Sequence, residues 1–273
     1  FSSENQQFPA MAVADDGTMI FCWTDEREYN SVIYAQRFSA SGMPLGENIR
    51  VVEDSLYDTY TIEPSVAADE EGNFVIAWAD FRNGYCFDIF AQRYAADGTP
   101  LGNNFQVSYA GGCMHYYPVV SFKENGNFII AWADSNDGGE AALIKDEMKG
   151  EYPDIWAQLY LSDGTPVGEN FILNEDPGDT YQTNPALAVD ENGNFIVAWQ
   201  DDRNGFSEIY LQRFLFDGTA IGNNFPAEDT MYMANQLIPA ISMDDEGNFI
   251  VAWIDDRNGN YDIFCRRFLN EGS

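Results

Sequence analysis

Apolar residues in this chain come in short strand-like runs, and helical spacing is nearly absent. Five runs end in tryptophan: "MIFCW" at Trp23, "FVIAW" at Trp78, "FIIAW" at Trp132, and "FIVAW" at both Trp199 and Trp253. They recur every ~54 residues, with one step longer by ~13. A second run follows each: "IYAQRF" (33–38), "IFAQRY" (89–94), "IWAQLY" (155–160), "IYLQRF" (209–214) and "IFCRRF" (263–268). After a Ser-Gly or Asp-Gly turn comes a third, as in "DGTPLGNNFQV", and a fourth opens at Pro9, Pro64, Pro118, Pro185 and Pro239. Each unit therefore predicts four short strands separated by Gly, Asn and Asp turns.

In "FIVAW" the side chains of Phe195, Val197 and Trp199 face one way, and Ile196 and Ala198 the other. Both faces are apolar, whereas a sandwich sheet needs a polar outer face. The pattern predicts an all-β fold, a five-bladed β-propeller with four antiparallel strands per blade, forming one domain over 1–273. The blades are expected near 9–54, 64–108, 118–174, 185–228 and 239–273 plus 1–8. Only 269–273 and 1–8 remain for the outer strand of the last blade, so that blade is incomplete or the chain belongs to a longer multidomain protein. The second is the expectation. The one stretch with helical character, "EAALIKDEM" (140–148), sits in the insertion that lengthens the third unit.

Composition narrows the function. Apolar residues make up 45%, with 20 Phe, 15 Tyr and 6 Trp, enough for a large core. No apolar run approaches the roughly 18 residues of a membrane span, and no membrane insertion is expected. The net charge of −32, from 45 acidic against 13 basic residues, repels phosphate backbones and argues against nucleic-acid partners.

Two residues after each tryptophan stands an aspartate: Asp25, Asp80, Asp134, Asp201 and Asp255. In four copies an arginine follows two residues later, Arg27, Arg82, Arg203 and Arg257, while the third copy has Asn136. Asn-Gly at 83–84, 204–205 and 258–259 then signals a tight turn. Trp, Asp and Arg fall on one side of the strand, which predicts a carboxylate that holds turn amides, pairs with the guanidinium and ties blade to blade. Identical residues around an axis suit equivalent structural jobs, whereas one catalytic centre needs different groups in different roles.

The stretch "DENGNFIVAWQDDRNG…EIYLQRFLFDGTAIGNNF" (190–225) resembles the tandem repeats of bacterial secreted and cell-surface proteins classed near sialidase-like propellers, and the resemblance covers nearly the whole chain. It implies the fold and a secreted or cell-surface location, but no particular reaction. Sialidases bring an arginine triad, a tyrosine nucleophile and a glutamate from different blades. Here the arginines sit at repeat-equivalent turns, so no triad and no catalytic residue is assigned.

A ligand site is expected where the copies diverge. The loops entering each proline run share a face with the turns after the tryptophan strands. On that face lie Tyr57, Tyr60, Tyr109, His115, Tyr116, Tyr117, Tyr181 and Tyr232, among acids. Flat rings with polar tips suit sugars or a protein partner, although rings packed on their own loops are the alternative. His115, the single histidine, reads as a loop residue rather than a base. The helical stretch is a candidate cap over the same face. Asp134, Asn136 and Asp137 are spaced as part of a calcium loop, which makes calcium the one cofactor suggested. Cys86 and Cys113 share the face and are expected to form a disulfide; Cys22 and Cys265 replace strand alanines and read as buried thiols, a bridge between them left open.

The expectation is a non-catalytic extracellular binding or adhesion module recognising a glycan or protein partner on a cell surface. The alternatives are a sialidase-like or other glycoside hydrolase using carboxylates at the central channel, and an architectural spacer.

Overall fold

The structure, a computed structural model, describes residues 4–27, 30–53, 60–84, 86–109, 114–135, 152–175, 180–229 and 233–270. It is nearly all β. The first sheet holds β1 (Gln6–Val13), β2 (Met19–Asp25), β3 (Val32–Phe38) and β4 (Pro44–Arg50), and the second β5 (Thr61–Ala68), β6 (Phe74–Asp80), β7 (Asp88–Tyr94) and the short β8 (Phe105–Gln106). The third holds β9 (His115–Phe122), β10 (Phe128–Asp134), β11 (Asp154–Tyr160) and β12 (Pro166–Ile172). The fourth holds β13 (Gln182–Val189), β14 (Phe195–Asp201), β15 (Glu208–Phe214) and β16 (Ala220–Pro226). The fifth has three strands only, β17 (Gln236–Met243), β18 (Phe249–Asp255) and β19 (Asp262–Phe268). Within each sheet the strands pair antiparallel in chain order, giving the five blades of a β-propeller.

The tryptophan strands are central and buried on both faces, as their two-sided apolar pattern requires. Every residue of β6 and of β10 is buried. Four apolar layers hold the blades together. In the first, Ile20 and Cys22 of blade one meet Phe74, Ile76 and Trp78 of blade two, and the same exchange recurs at each boundary up to Trp253 of blade five. First strands of successive blades pack against one another, which places them innermost.

Polar ties repeat beside these layers. The backbone N–H groups of Thr61, His115, Gln182 and Gln236, each opening a first strand, donate to the carbonyls of Ser31, Phe87, Pro153 and Ser207 in the preceding blade. Arg37 reaches forward to the Asp97 carbonyl at 2.6 Å, and Arg93 to the carbonyls of Ser162 and Asp163. The Arg93 side chain lies across Gly164, whose φ is 87° and where a Cβ would come within 2.8 Å of it; glycine is needed there on both counts.

Blades two to four are wedged between two neighbours. The outer faces of blades one and five are not. Among the described residues no apolar cluster joins them, and Ile250 and Ile263 of blade five are 44% and 75% exposed. Cys265, expected to be a buried thiol, is exposed and free for the same reason, whereas Cys22 is buried and free in the first layer.

Candidate functional site

The repeated Trp-Asp-Arg set closes on itself in each blade that carries it, and in the fifth Arg257 also pairs with Glu228 of blade four at 2.6 Å. Trp23, Trp78, Trp199 and Trp253 donate through Nε1 to the Oδ2 of Asp25, Asp80, Asp201 and Asp255 at 2.8, 2.7, 2.8 and 3.2 Å. The Oδ1 atoms accept from the backbone N–H of Arg27, Arg82, Arg203 and Arg257 at 2.8–2.9 Å. Each guanidinium returns to the same carboxylate and lies about 4 Å over the ring of Tyr34, Phe90, Tyr210 or Phe264 on the next strand. All four carboxylates are fully buried. Burial alone would raise the Asp25 carboxyl, but the hydrogen bonds from Arg27 and Trp23 outweigh it and hold it at about 2. These bonds tie each tryptophan strand to the turn that follows it. Ties between blades run through Arg37, Arg93 and the first-strand amides, so the expectation that this set links blade to blade holds in the fifth copy, through Arg257 and Glu228, and not in the other three.

Blade three departs from the pattern. Its Asp134 is fully buried, but Trp132 Nε1 is buried with no partner among the described residues, and the histidine takes the cationic role. His115 is also fully buried at the start of β9, where it sits opposite Asp134. Its Nε2 lies 3.2 Å from Asp134 Oδ1 and its Nδ1 3.4 Å from Asp88 Oδ1 of blade two. Burial works against the imidazolium, yet the two carboxylates prevail and lift the imidazole to about 9. His115 is therefore a buried cation bridging two blades, not the loop residue that the sequence suggested.

A second departure lies on the innermost strands. Before each proline the first strand bulges, so that two residues stand opposite the tryptophan. The residue preceding the proline takes a positive φ in all five blades: Phe8 at 51°, Glu63 at 56°, Tyr117 at 54°, Asn184 at 51° and Ile238 at 51°. Such backbone costs roughly 1–3 kcal/mol per non-glycine residue and collects at functional positions. All five side chains are exposed or half-buried rather than packed between sheets, and all five differ. One is acidic. Glu63 accepts the backbone N–H of Tyr117 at 3.0 Å through Oε2; burial raises its carboxyl above the ordinary value, and that hydrogen bond only partly offsets the rise. The Tyr117 phenol is raised too, by burial and by the Glu63 charge.

Aromatic rings extend from this pair. Tyr60 meets Phe87 edge-on at 6.0 Å, Phe87 lies 5.2 Å from Tyr116, and Tyr116 lies 6.2 Å from Tyr117. Tyr60 and Tyr117 are exposed. Three of the predicted tyrosines thus join through Phe87, which sequence reasoning missed. Tyr109 packs behind them, 5.9 Å from His115 and 5.5 Å from Trp156, and Tyr181 meets Tyr152 edge-on at 4.8 Å, apart from the others. Tyr57, Tyr232, Asn136, Asp137, Cys113 and the helical stretch 140–148 lie outside the described residues. Cys86 is disulfide-bonded. Asp134, placed in the calcium set, faces His115 instead, and among the described residues no group of three or more His, Cys, Asp or Glu could hold a metal ion. Glu63 was also missed. The signal was available: aligning the copies on their prolines gives Phe, Glu, Tyr, Asn and Ile at one position.

No protein-family model and no curated relative matches the sequence. Solved structures match it in fold. A Hadza microbial sialidase aligns with TM-score 0.64 and 14% identity over 99% of this chain and 57% of its own. The endo-arabinase of Bacteroides thetaiotaomicron aligns with TM-score 0.57 and 13% identity over 99% and 96%. A Dyadobacter fermentans protein of unknown function aligns with TM-score 0.60 and 8% identity over 97% and 94%. Further likenesses include an α-L-arabinofuranosidase and a xylan β-1,4-xylosidase. This company overturns the expectation of a non-catalytic binding or adhesion module and favours the glycan-processing alternative. At such identities the likeness itself shows the fold: a β-propeller of the kind found in arabinanases and sialidases.

Proposed function

We propose that this protein hydrolyses glycosidic bonds, with Glu63 as the group that transfers the proton. The observation that carries the reading is Glu63 itself, the one acid among five strained positions at the inner rim, with a carboxyl raised by burial. A raised carboxyl keeps its proton closer to neutral pH, as protonation of a leaving sugar oxygen requires. Tyr60, Tyr116 and Tyr117 supply faces on which a sugar ring stacks. The bulge ring offers no second carboxylate.

Charge selects among glycans. A protein of net charge −32 repels carboxylated sugars, and the arginine triad that binds sialic acid is not assignable, so neutral pentoses and hexoses are the substrate class favoured. The disulfide at Cys86 supports an extracytoplasmic setting, where such bonds persist. The test is hydrolysis of an aryl-glycoside panel containing arabinofuranosides, xylosides, hexosides and sialosides. Cleavage of a neutral glycoside by the native protein, reduced by about 10²–10⁴ in kcat by Glu63→Gln, supports the reading. No cleavage anywhere on the panel, or an unaffected Gln variant, refutes it.

A further inference from the structure

Blade three lacks the arginine of the repeat, and the groups that this arginine meets elsewhere line a cleft there. In the other four blades a guanidinium lies about 4 Å over the third-strand ring, Tyr34, Phe90, Tyr210 or Phe264. In blades one, two and four it also donates at 3.4 Å to the Oδ1 of an outer-strand asparagine, Asn48, Asn104 or Asn224. Asn104 and Asn224 accept a second bond, from the backbone N–H of Glu53 and Glu175 at 2.9 Å. The counterparts in blade three are Trp156, paired with Trp132, and Asn170, and asparagine stands at 136 in place of the arginine. Asn170 donates through its amide to the Val107 carbonyl at 3.2 Å and to Gln158 Oε1 at 2.7 Å, while its Oδ1 accepts from no group among the described residues. The acceptor is held in place and left open.

We propose that this cleft is a second carbohydrate site, separate from the rim that carries Glu63, which binds a further stretch of a neutral polysaccharide. The inference rests on the reading of the protein as one that acts on neutral glycans. The cleft holds about 720 Å³ where the outer edge of blade two meets blade three, within the range of ligand sites. Phe105, Tyr109, Trp156 and Tyr160 give it aromatic walls, and Gln106 and Asn170 give it amides. One wall is thin, because β8 has two residues where β4, β12 and β16 have seven. Trp156 is half-buried and Gln106 exposed. This mixture suits a sugar, whose C–H face stacks on the indole while its hydroxyls donate to Asn170 Oδ1 and accept from the Gln106 amide.

Charge points the same way. No lysine or arginine lines the cleft among the described residues, so a carboxylate or phosphate finds no partner in it. Nor is a cation called for, since Asp134, whose counterparts bind the guanidinium, already faces His115. Tyr109 ties the cleft to the rim. Its ring lies 5.5 Å from Trp156 and 5.9 Å from His115, which opens the strand carrying Tyr117. The cleft and the Glu63–Tyr117 contact thus share one blade boundary.

Calorimetric titration with arabinan, xylan and glucan hexasaccharides tests the site. Native protein is expected to bind at least one of them. Trp156→Leu weakens that binding about tenfold or more, and Gln106→Ala, a change at an exposed position, about threefold. Both variants keep native circular dichroism and native turnover of a small aryl glycoside, while Trp156→Leu loses turnover of the matching polysaccharide at low concentration. Binding and chemistry separate cleanly: Glu63→Gln cuts turnover and keeps the affinity, and a protein without turnover still shows binding that depends on Trp156. Binding of none of the hexasaccharides, or binding that survives unchanged in both cleft variants, overturns the proposal. So does hexa-arginine bound with the same loss in Trp156→Leu, which assigns the cleft to a basic peptide.

Discussion

Blades three and four share a tryptophan strand, an aspartate at its end and nearly identical packing, yet they neutralise that aspartate differently. In blade four Asp201 is held by Trp199, the Arg203 amide and the Arg203 guanidinium, all within one sheet. In blade three Asp134 faces His115, which also touches Asp88 of blade two, so the neutralising cation spans a blade boundary. The difference teaches where the repeat is free to change. The set is kept in the first, second, fourth and fifth blades, whereas the third has traded it for a link to the second that fixes the start of β9. Two residues after His115 stands Tyr117, whose amide holds Glu63.

The largest expected effect comes from removing the common carboxylate. Asp201→Ala strands Arg203 and frees the Trp199 indole, and is expected to cost about 3–5 kcal/mol in urea unfolding. An effect below about 1 kcal/mol contradicts the role assigned to it here.

The two arrangements then separate by pH. His115 is raised from 6.5 to about 9, so its contribution is fully present below pH 6.5 and is lost as pH rises through 9. Stability should fall by at most about 3 kcal/mol across that window, and His115→Leu should abolish the dependence. Asp25 is depressed from 3.8 to about 2, so its contribution is present above pH 3.8 and is lost as pH falls through 2. Denaturant titrations at alkaline pH in His115→Leu and at acidic pH in Asp25→Asn, each against the native protein, measure both. An alkaline loss that persists in His115→Leu rules out the bridge as its source.

A smaller contrast isolates the indole bond. Trp199→Phe removes both ring volume and the Nε1 hydrogen bond to Asp201, whereas Trp132 Nε1 makes no bond among the described residues and Trp132→Phe removes volume only. The first should cost about 1 kcal/mol more than the second. Smallest is the stacking of Arg203 over Tyr210. Tyr210→Leu is expected to lose about 0.5–1 kcal/mol, with no effect on glycoside turnover.

The fold was legible because each strand carries its own two-sided pattern and each turn its own glycine, so the repeat announces the sheet without tertiary information. The three-stranded last blade was legible too, from the few residues left for a fourth strand. What escaped was anything set by neighbours. Ile250 and Ile263 read like their buried counterparts Ile196 and Ile209, and only packing shows that no blade covers them. His115 could not be paired with Asp88 from sequence, since the contact depends on which loops meet across a blade boundary. Glu63 was hidden by local preference. A residue before proline ordinarily adopts an extended conformation with negative φ, so a positive-φ bulge at that position is a tertiary outcome that pattern reading does not supply. The tyrosines were easier, because aromatic rings in divergent loops stand out against a repetitive frame.

The central claim is that the common set is structural and that chemistry sits at Glu63, beside the boundary where the third blade departs from it. Turnover of the best neutral aryl glycoside, measured for Glu63→Gln under conditions where unfolding shows the fold intact, tests this most directly. The account predicts a loss of about 10²-fold or more. A Gln variant that turns over at the native rate contradicts it.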